Sequence, residues 1–437
     1  MVTRGRLGRL IALPAVLAAA TGLASVPANA AGKTPTNVTL TYLTHIFAPA
    51  NALTKQLIAQ WEAKHPGVHV NYIDVTSGTT YTKFLTLTEA GDAPDIYDMA
   101  NAYGPALMSK HVLAPVDYKA LGVKGYKQLT GEFLGGALEG YVWQGQLYGV
   151  PHQFSNYVAW YNTAEYKAAH LSLPTTWQQV EADAAKLTIK DHGAVKQEEL
   201  AFPVNYPAAS VLILDAMASE AGQPLFNAAG TKSYIDSSAS IKAFTTLNEL
   251  VNKYHAVYPG LEGTQITGGG NQYRPGIAAM ELGAGSWQSG ILQSQYPKTW
   301  KVAAAAPYPT YPGHAAVSDD YGYALVVPAA SKHQALAWSL VNYLNSKTAA
   351  VDYLKIGLYT GLKAANNTPA AHHIKFWESV FVPTLAHGHY LPNLINGTQI
   401  MDIVGKAQDE IILDHANIQA TLKSAYEQIV PLLNPPA

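Results

Sequence analysis

Between residues 38 and 97 the hydrophobic period switches back and forth, and this switching constrains the fold more than any other feature of the chain. Val38, Leu40 and Tyr42 alternate with polar residues, as in a half-buried strand. Leu53, Leu57, Ile58 and Trp61 then fall on one helical face, and His65-Pro66-Gly67 stops that helix. Val68, Val70 and Tyr72 alternate again, a second helical pattern runs through Phe84, Leu85 and Thr88, and Ala93-Pro94-Asp95 leads into a short strand at Ile96-Tyr97. The order β-α-β-α-β predicts an α/β protein with a parallel sheet covered by helices.

The α/β pattern weakens in the middle and resumes late. Gln146 to Pro151 reads as a strand with breakers, and Tyr157, Ala159 and Tyr161 alternate after it. Pro174-Thr175-Thr176 precedes a helical face of Trp177, Val180, Ala184 and Leu187, with a threonine as N-cap. A second stripe joins Ile241, Phe244, Leu247 and Val251. Strands follow at Ile277–Leu282, Val302–Ala306 and Tyr323–Val327, then a helix through Ala337, Leu340, Val341 and Leu344. Two helical stripes, Ile400 to Ile411 and Ile418 to Ile429, close the chain. At 437 residues, two domains or lobes are the natural division. Trp61, Trp177 and Trp338 sit on helical stripes and read as core, and one of Trp160 and Tyr161 is expected to face inward.

The first thirty residues read as a secretory signal peptide. Arg4, Arg6 and Arg9 precede an apolar run from Leu10 to Ala20, and Ala28-Asn29-Ala30 is an A-x-A cleavage site. Residues 31–36 then form a linker. Cleavage leaves 25 basic against 30 acidic residues, a net charge of −5, with Arg274 as the single arginine. That balance argues against nucleic acid and against Arg-cluster recognition of phosphate. There is no cysteine, which excludes disulfides, thiolate nucleophiles, Cys-ligated metals and a lipidated Cys anchor. Tyrosine is abundant, 27 against nine phenylalanines. Its flat face and hydroxyl suit sugar rings, although exported bacterial proteins are often tyrosine-rich in any case.

Five stretches in order resemble the extracellular solute-binding proteins of ABC importers, the oligosaccharide-binding family that includes maltose-binding protein. They are Trp61-Glu62-Ala63-Lys64-His65-Pro66-Gly67 before a strand; Ala90-Gly91-Asp92-Ala93-Pro94-Asp95-Ile96; Gly145-Gln146-Leu147-Tyr148-Gly149-Val150-Pro151 with Tyr161-Asn162 and Pro174-Thr175-Thr176-Trp177; Ile277-Ala278-Ala279-Met280 to Gly285-Ser286-Trp287; and Tyr321-Gly322-Tyr323-Ala324. The chain departs from the family pattern at Thr163, Gln146, Tyr321 and Ser286. The resemblance implies a two-lobed periplasmic-binding-protein fold of type II, with discontinuous lobes, a hinge and a central ligand cleft. Lobe 1 is expected to comprise 37–150 plus 303–352, and lobe 2 to comprise 151–302 plus 353–437. Gly149, Pro151, Pro307 and Gly357 suit the hinge crossings.

The same resemblance implies an exported, cofactor-free, monomeric protein of the periplasm or cell exterior, not lipid-anchored. It would carry an uncharged sugar or oligosaccharide to ABC permease subunits. Ligand contacts are expected in loops after strands, at the carboxyl edge of the sheet. They are His45 and Phe47 after the first strand; Asp98, Asn101 and Tyr103 after the third; Phe154, Ser155 and Asn156 past the first crossing; Asn205 and Tyr206; the stacking Trp287; and Asp320 and Tyr321 beside Asp319. Solvated, capping or core roles are the alternatives at each, and Arg274 reads as a surface residue. A secreted carbohydrate-active hydrolase is the rival, with Asp98 and Asp320 as a carboxylate pair about 5–10 Å apart across a sugar. No G-x-S-x-G, H-E-x-x-H or P-loop motif occurs. His372-His373 and His387-Gly388-His389 lack metal-ligand spacing and read as solvated loops, so no metal is expected.

Overall fold

A computed structural model describes residues 37–204, 206–258, 270–385 and 388–435. Its strands are β1 (Val38–His45), β2 (Val68–Val75), β3 (Ile96–Ala100), β4 (Val142–Trp143), β5 (Gln146–Leu147), β6 (Gly149–Asn156) and β7 (Val158–Asn162), followed by β8 (Ile189–Asp191), β9 (Ala194–Ala201), β10 (Ala278–Ala284), β11 (Ala303–Ala306), β12 (Ser318–Val326) and β13 (Gly388–Tyr390).

Two larger sheets organise these strands. The first runs β13-β12-β3-β1-β2, with β6 also paired to β12. Its β1, β2 and β3 are parallel, from Val38↔Val68 through His45↔Val75 and at Tyr42↔Ile96. The second runs β11-β7-β10-β9-β8. The β-α-β-α-β pattern of the N-terminal segment is therefore realised as expected, with helix Ala48–Glu62 between β1 and β2 and helix Thr80–Glu89 between β2 and β3. Pro49 opens the first of these helices, where its missing N–H has no intrahelical partner to lose. Thr176 caps helix Trp177–Leu187 through a full capping box with Gln179.

Each sheet has its own core. Trp61, Phe84, Tyr97 and Trp338 are buried against the first sheet, with Phe84 and Tyr97 stacked at 4.5 Å. Trp177, Phe244, Ile400 and Leu422 are buried on one face of the second. Trp160 packs on its other face with Trp377 and Phe381. Trp160 and Tyr161 are therefore both buried, because helices and the late chain cover both faces of β7, where a single inward face was expected.

The chain passes between the sheets at different points from those expected. Gly149 and Pro151 lie inside β6, which stays in the first sheet to Asn156. The register against β12 shifts between Tyr323 and Ala324, beside Pro151, so the proline sits at a bulge where its missing donor is tolerated. The first passage is thus at Tyr157, past the boundary placed at 150. The second also comes later than 303: β11 pairs with β7, Ala303 opposite Asn162, and the chain re-enters the first sheet only at β12. Pro307, Pro309 and Pro312 in between cannot extend a ladder. Beyond 353 the chain does not stay with the second sheet. Leu358, Leu362 and Ala365 pack in the first core, β13 joins β12, and helices Gly397–Leu413 and Ile418–Ile429 then complete the second core.

Candidate functional site

The carboxyl edges of both sheets face a cavity of about 380 Å³, within the usual range of small-molecule sites. Strand β1 ends at His45, which with Phe47 lines one wall, and the turn after β3 brings Asn101 and Tyr103 beside them. From the second sheet, Tyr206 stands at the start of helix Pro207–Glu220, and Trp287 and Ile291 come from the helix Trp287–Gln295 that follows β10. Strand β12 contributes Tyr321 and Tyr323, and β6 contributes Gln153. The late chain adds Leu391, Asn393 and Met401.

Aromatic surface dominates, and the rings support one another. His45 stacks on Tyr323 with centroids 4.3 Å apart, Tyr103 stacks on Tyr81 at 4.6 Å, and Tyr157 leans on Tyr321 at 4.9 Å. Gln153 Nε2 donates to the Tyr321 hydroxyl at 3.1 Å. The Arg274 guanidinium lies 5.5 Å from the centre of the Trp287 ring, and its Nε donates to Gln288 Oε1 at 3.0 Å. Gln288 in turn hydrogen-bonds buried Glu281. Arg274 therefore steadies the back of the tryptophan and lines the cavity instead of lying on the open surface as expected. No aspartate, glutamate or lysine lines this cavity among the described residues.

Beneath the wall, Asp98 is buried. Its Oδ2 accepts from Thr44 Oγ1 at 2.8 Å and lies 3.5 Å from His45 Nδ1. Burial alone would raise its pKa. The His45 hydrogen bond, the charges of His152 and His45 and the Thr44 hydrogen bond outweigh burial and hold the carboxyl below its ordinary value. His152, buried beside it, is itself pushed down, burial being the largest cause. Asp98 thus positions His45 from below.

Of the residues expected to contact ligand, His45, Phe47, Asn101, Tyr103, Tyr206, Trp287 and Tyr321 meet at the cavity, and Asn205 lies outside the described residues. Five others do not reach it. Asp98 sits in the layer below. Phe154, Ser155 and Asn156 belong to β6, both faces of which are buried, where a loop was expected. Phe154 packs toward Tyr390, and Ser155 Oγ lies 3.1 Å from Ser286 Oγ. Asp320 is buried against Gly388, where a Cβ would lie 2.1 Å from its Oδ1. Nor can Asp98 and Asp320 form a hydrolase pair. Asp98 is opposite Leu325, and Asp320 lies five positions further along β12, about 17 Å away at ~3.4 Å per residue. That exceeds the ~5–10 Å such pairs need.

Sequence patterning missed Gln153, Tyr157, Tyr323, Arg274 and the Leu391–Met401 wall. It also missed the setting of His389. Far from being a solvated-loop histidine without a carboxylate, its Nε2 lies 3.1 Å from Asp215 Oδ2 and 3.3 Å from Asp319 Oδ1. His372 likewise pairs with Glu378.

A profile of the family described as bacterial extracellular solute-binding protein matches residues 47–351. The chain is 26% identical over 307 residues to an uncharacterized lipoprotein of the oleD 5′ region of Streptomyces antibioticus, covering 62% of this chain and 64% of that protein. It is 27% identical over 222 residues to YcjN of Escherichia coli (strain K12), named as a candidate ABC transporter periplasmic-binding protein, covering 49% of each. The chain thus spans less than two thirds of the length of these curated relatives. Among solved structures, the GacH receptor of Streptomyces glaucescens, studied unliganded and with acarbose, superposes with a TM-score of 0.78 at 20% identity, covering 90% of this chain and 99% of that one. At that identity the likeness shows a common two-lobed fold.

Proposed function

The chain belongs to the bacterial extracellular solute-binding protein family, and from this premise we propose that it is an exported binding subunit that captures an uncharged sugar or oligosaccharide and delivers it to the permease of an ABC importer. The observation that carries the reading is the composition of the cavity. Tyr103, Tyr157, Tyr206, Tyr321, Tyr323 and Trp287 offer flat apolar faces, and Asn101, Gln153, Gln295 and Asn393 offer planar amides for hydroxyls. Among the described lining residues there is no carboxylate or lysine, and the basic side chains are His45 and Arg274, whose Nε already serves Gln288. The acarbose complex of the GacH receptor supports the same ligand class.

Ligand contact is assigned to His45, Phe47, Asn101, Tyr103, Tyr206, Trp287 and Tyr321. The walls come from both sheets, so a ligand gains its second set of contacts only when the lobes are together, and closure is the signal read by the permease. The protein acts as a monomer outside the cytoplasmic membrane, without a cysteine-borne lipid. A thermal-shift screen with neutral mono- and oligosaccharides, set beside their phosphate esters and followed by calorimetry, tests the reading. Neutral sugars should stabilise the protein and the esters should do no better. Stabilisation by the phosphorylated compounds alone would overturn it and point to Arg274 as an anion site.

A further inference from the structure

Just outside the lining of the cavity, three side chains from distant parts of the sequence converge where the two lobes meet. Asp319 on β12 and His389 on β13 are direct partners in a parallel ladder. Asp215 reaches them from helix Pro207–Glu220, which packs in the core of the second sheet. His389 Nε2 stands 3.1 Å from Asp215 Oδ2 and 3.3 Å from Asp319 Oδ1, and the donor atoms of all three lie within 4.8 Å of one another.

The arrangement is short of positive charge. Asp215 and Asp319 are 2% and 1% exposed. Asp215 Oδ1 is fixed by the Leu225 N–H, but neither oxygen of Asp319 makes a hydrogen bond, although both are fully buried. One imidazole nitrogen faces two buried carboxylates at once, and its charge alone cannot compensate both in their ionised form.

We propose that Asp215, Asp319 and His389 form a site for a first-row divalent cation of the zinc class, tying the second-lobe helix to the first sheet. Two carboxylate oxygens and one imidazole nitrogen are a zinc-type donor set. In a tetrahedron with bonds of ~2.0–2.1 Å, donor atoms are about 3.3–3.4 Å apart, close to the two separations measured here. The His389 side chain is 41% exposed, which gives the ion an entry path and leaves a fourth position for water.

The test uses full-length mature protein, stripped with chelator and dialysed, with no sugar present. Zn²⁺ titration by calorimetry should show one site and raise the melting temperature, while Mg²⁺ and Ca²⁺ should not. Co²⁺ should give the visible bands of a nitrogen–oxygen tetrahedral site. His389→Gln and Asp319→Asn should each weaken Zn²⁺ binding by at least about tenfold, the effect that even outer-sphere changes produce. Should Asp319→Asn not fold, the partly exposed His389→Gln decides alone. Absence of Zn²⁺ binding to the wild type, or equal affinity in His389→Gln, overturns the proposal, the latter placing the ion on another pair such as His372 and Glu378.

Discussion

Gly290→Ala separates the packing described here from helix propensity. Gly290 lies inside helix Trp287–Gln295, where alanine should be better by about 1 kcal/mol on propensity alone. The structure reverses that sign. A Cβ at 290 would stand 2.0 Å from the Ile356 carbonyl oxygen and 3.1 Å from its carbonyl carbon. Both are backbone atoms, so no side chain can swing away, and the helix or the turn must move by more than an ångström. Across the contact, Gly357 has φ 83°, and a Cβ there would meet Ser289 Oγ at 2.4 Å and Gly290 N at 2.9 Å. The two glycines thus allow one backbone to lie directly on the other. Overpacking costs about 1–3 kcal/mol, and a backbone obstacle belongs at the upper end, so the net loss should be about 1–2 kcal/mol. Spread over the unfolding entropy of about 400 residues, this corresponds to a melting temperature lower by about 1–2.5 °C. Gly131→Ala is the matched control: it lies within helix Tyr126–Glu132 with nothing within 4 Å of its added Cβ, and should be neutral or stabilising. Calorimetry of the three proteins side by side is the assay. Equal or raised stability in Gly290→Ala would refute the close approach. Sugar affinity should also fall in Gly290→Ala, because Trp287 and Ile291 flank the displaced residue on the cavity side.

Trp287→Ala should weaken the sugar found in the screen by about 1–3 kcal/mol, the scale of one aromatic platform, with the fold intact; unchanged affinity by calorimetry would remove Trp287 from the contact set. Thr176→Ala removes the side chain that accepts from Gln179 N and should cost about 1 kcal/mol in urea unfolding, whereas no change would show the capping box to be idle. Glu220 is pushed up to about 7, chiefly by burial and against the opposing hydrogen bonds from Trp177 and Tyr311 N–H. Its folded form binds a proton more tightly than the unfolded chain, so it contributes a fall in stability as pH rises from about 4.5 to 7. Glu220→Gln should flatten that fall in calorimetric scans across the window, and an unaltered slope would contradict the assignment.

Local patterning made part of this molecule legible. Period-two alternation at Val38 to Tyr42 and the helical stripe ending in Trp61 fixed the β-α-β unit. With it came the strand ends that place His45, Phe47, Asn101 and Tyr103 at the cavity. Tyr157, Gln153 and Tyr323 were not legible, because β6, β7 and most of β12 are covered on both faces and alternation carries no sign there. Gly149 and Pro151 read as a hinge but lie in one continuing strand, Pro151 beside its bulge, since a breaker signals an interrupted ladder without saying whether the strand resumes. Arg274 and the Leu391–Met401 wall reach the site through tertiary packing alone. The nearness of His389 to Asp215 and Asp319 depends on a strand pairing between segments some seventy residues apart, and no local spacing announces it.

The proposed role requires one ligand to be held by both lobes and its capture to close them. Small-angle scattering on the mature protein, with and without a saturating concentration of the sugar identified by calorimetry, tests it most directly. Ligand contacts drawn from Asn101 and Tyr103 on one side and Tyr206 and Trp287 on the other predict a smaller radius of gyration in the bound form. Superimposable curves from a protein that calorimetry shows to be fully bound would contradict the account and leave a rigid cleft in its place.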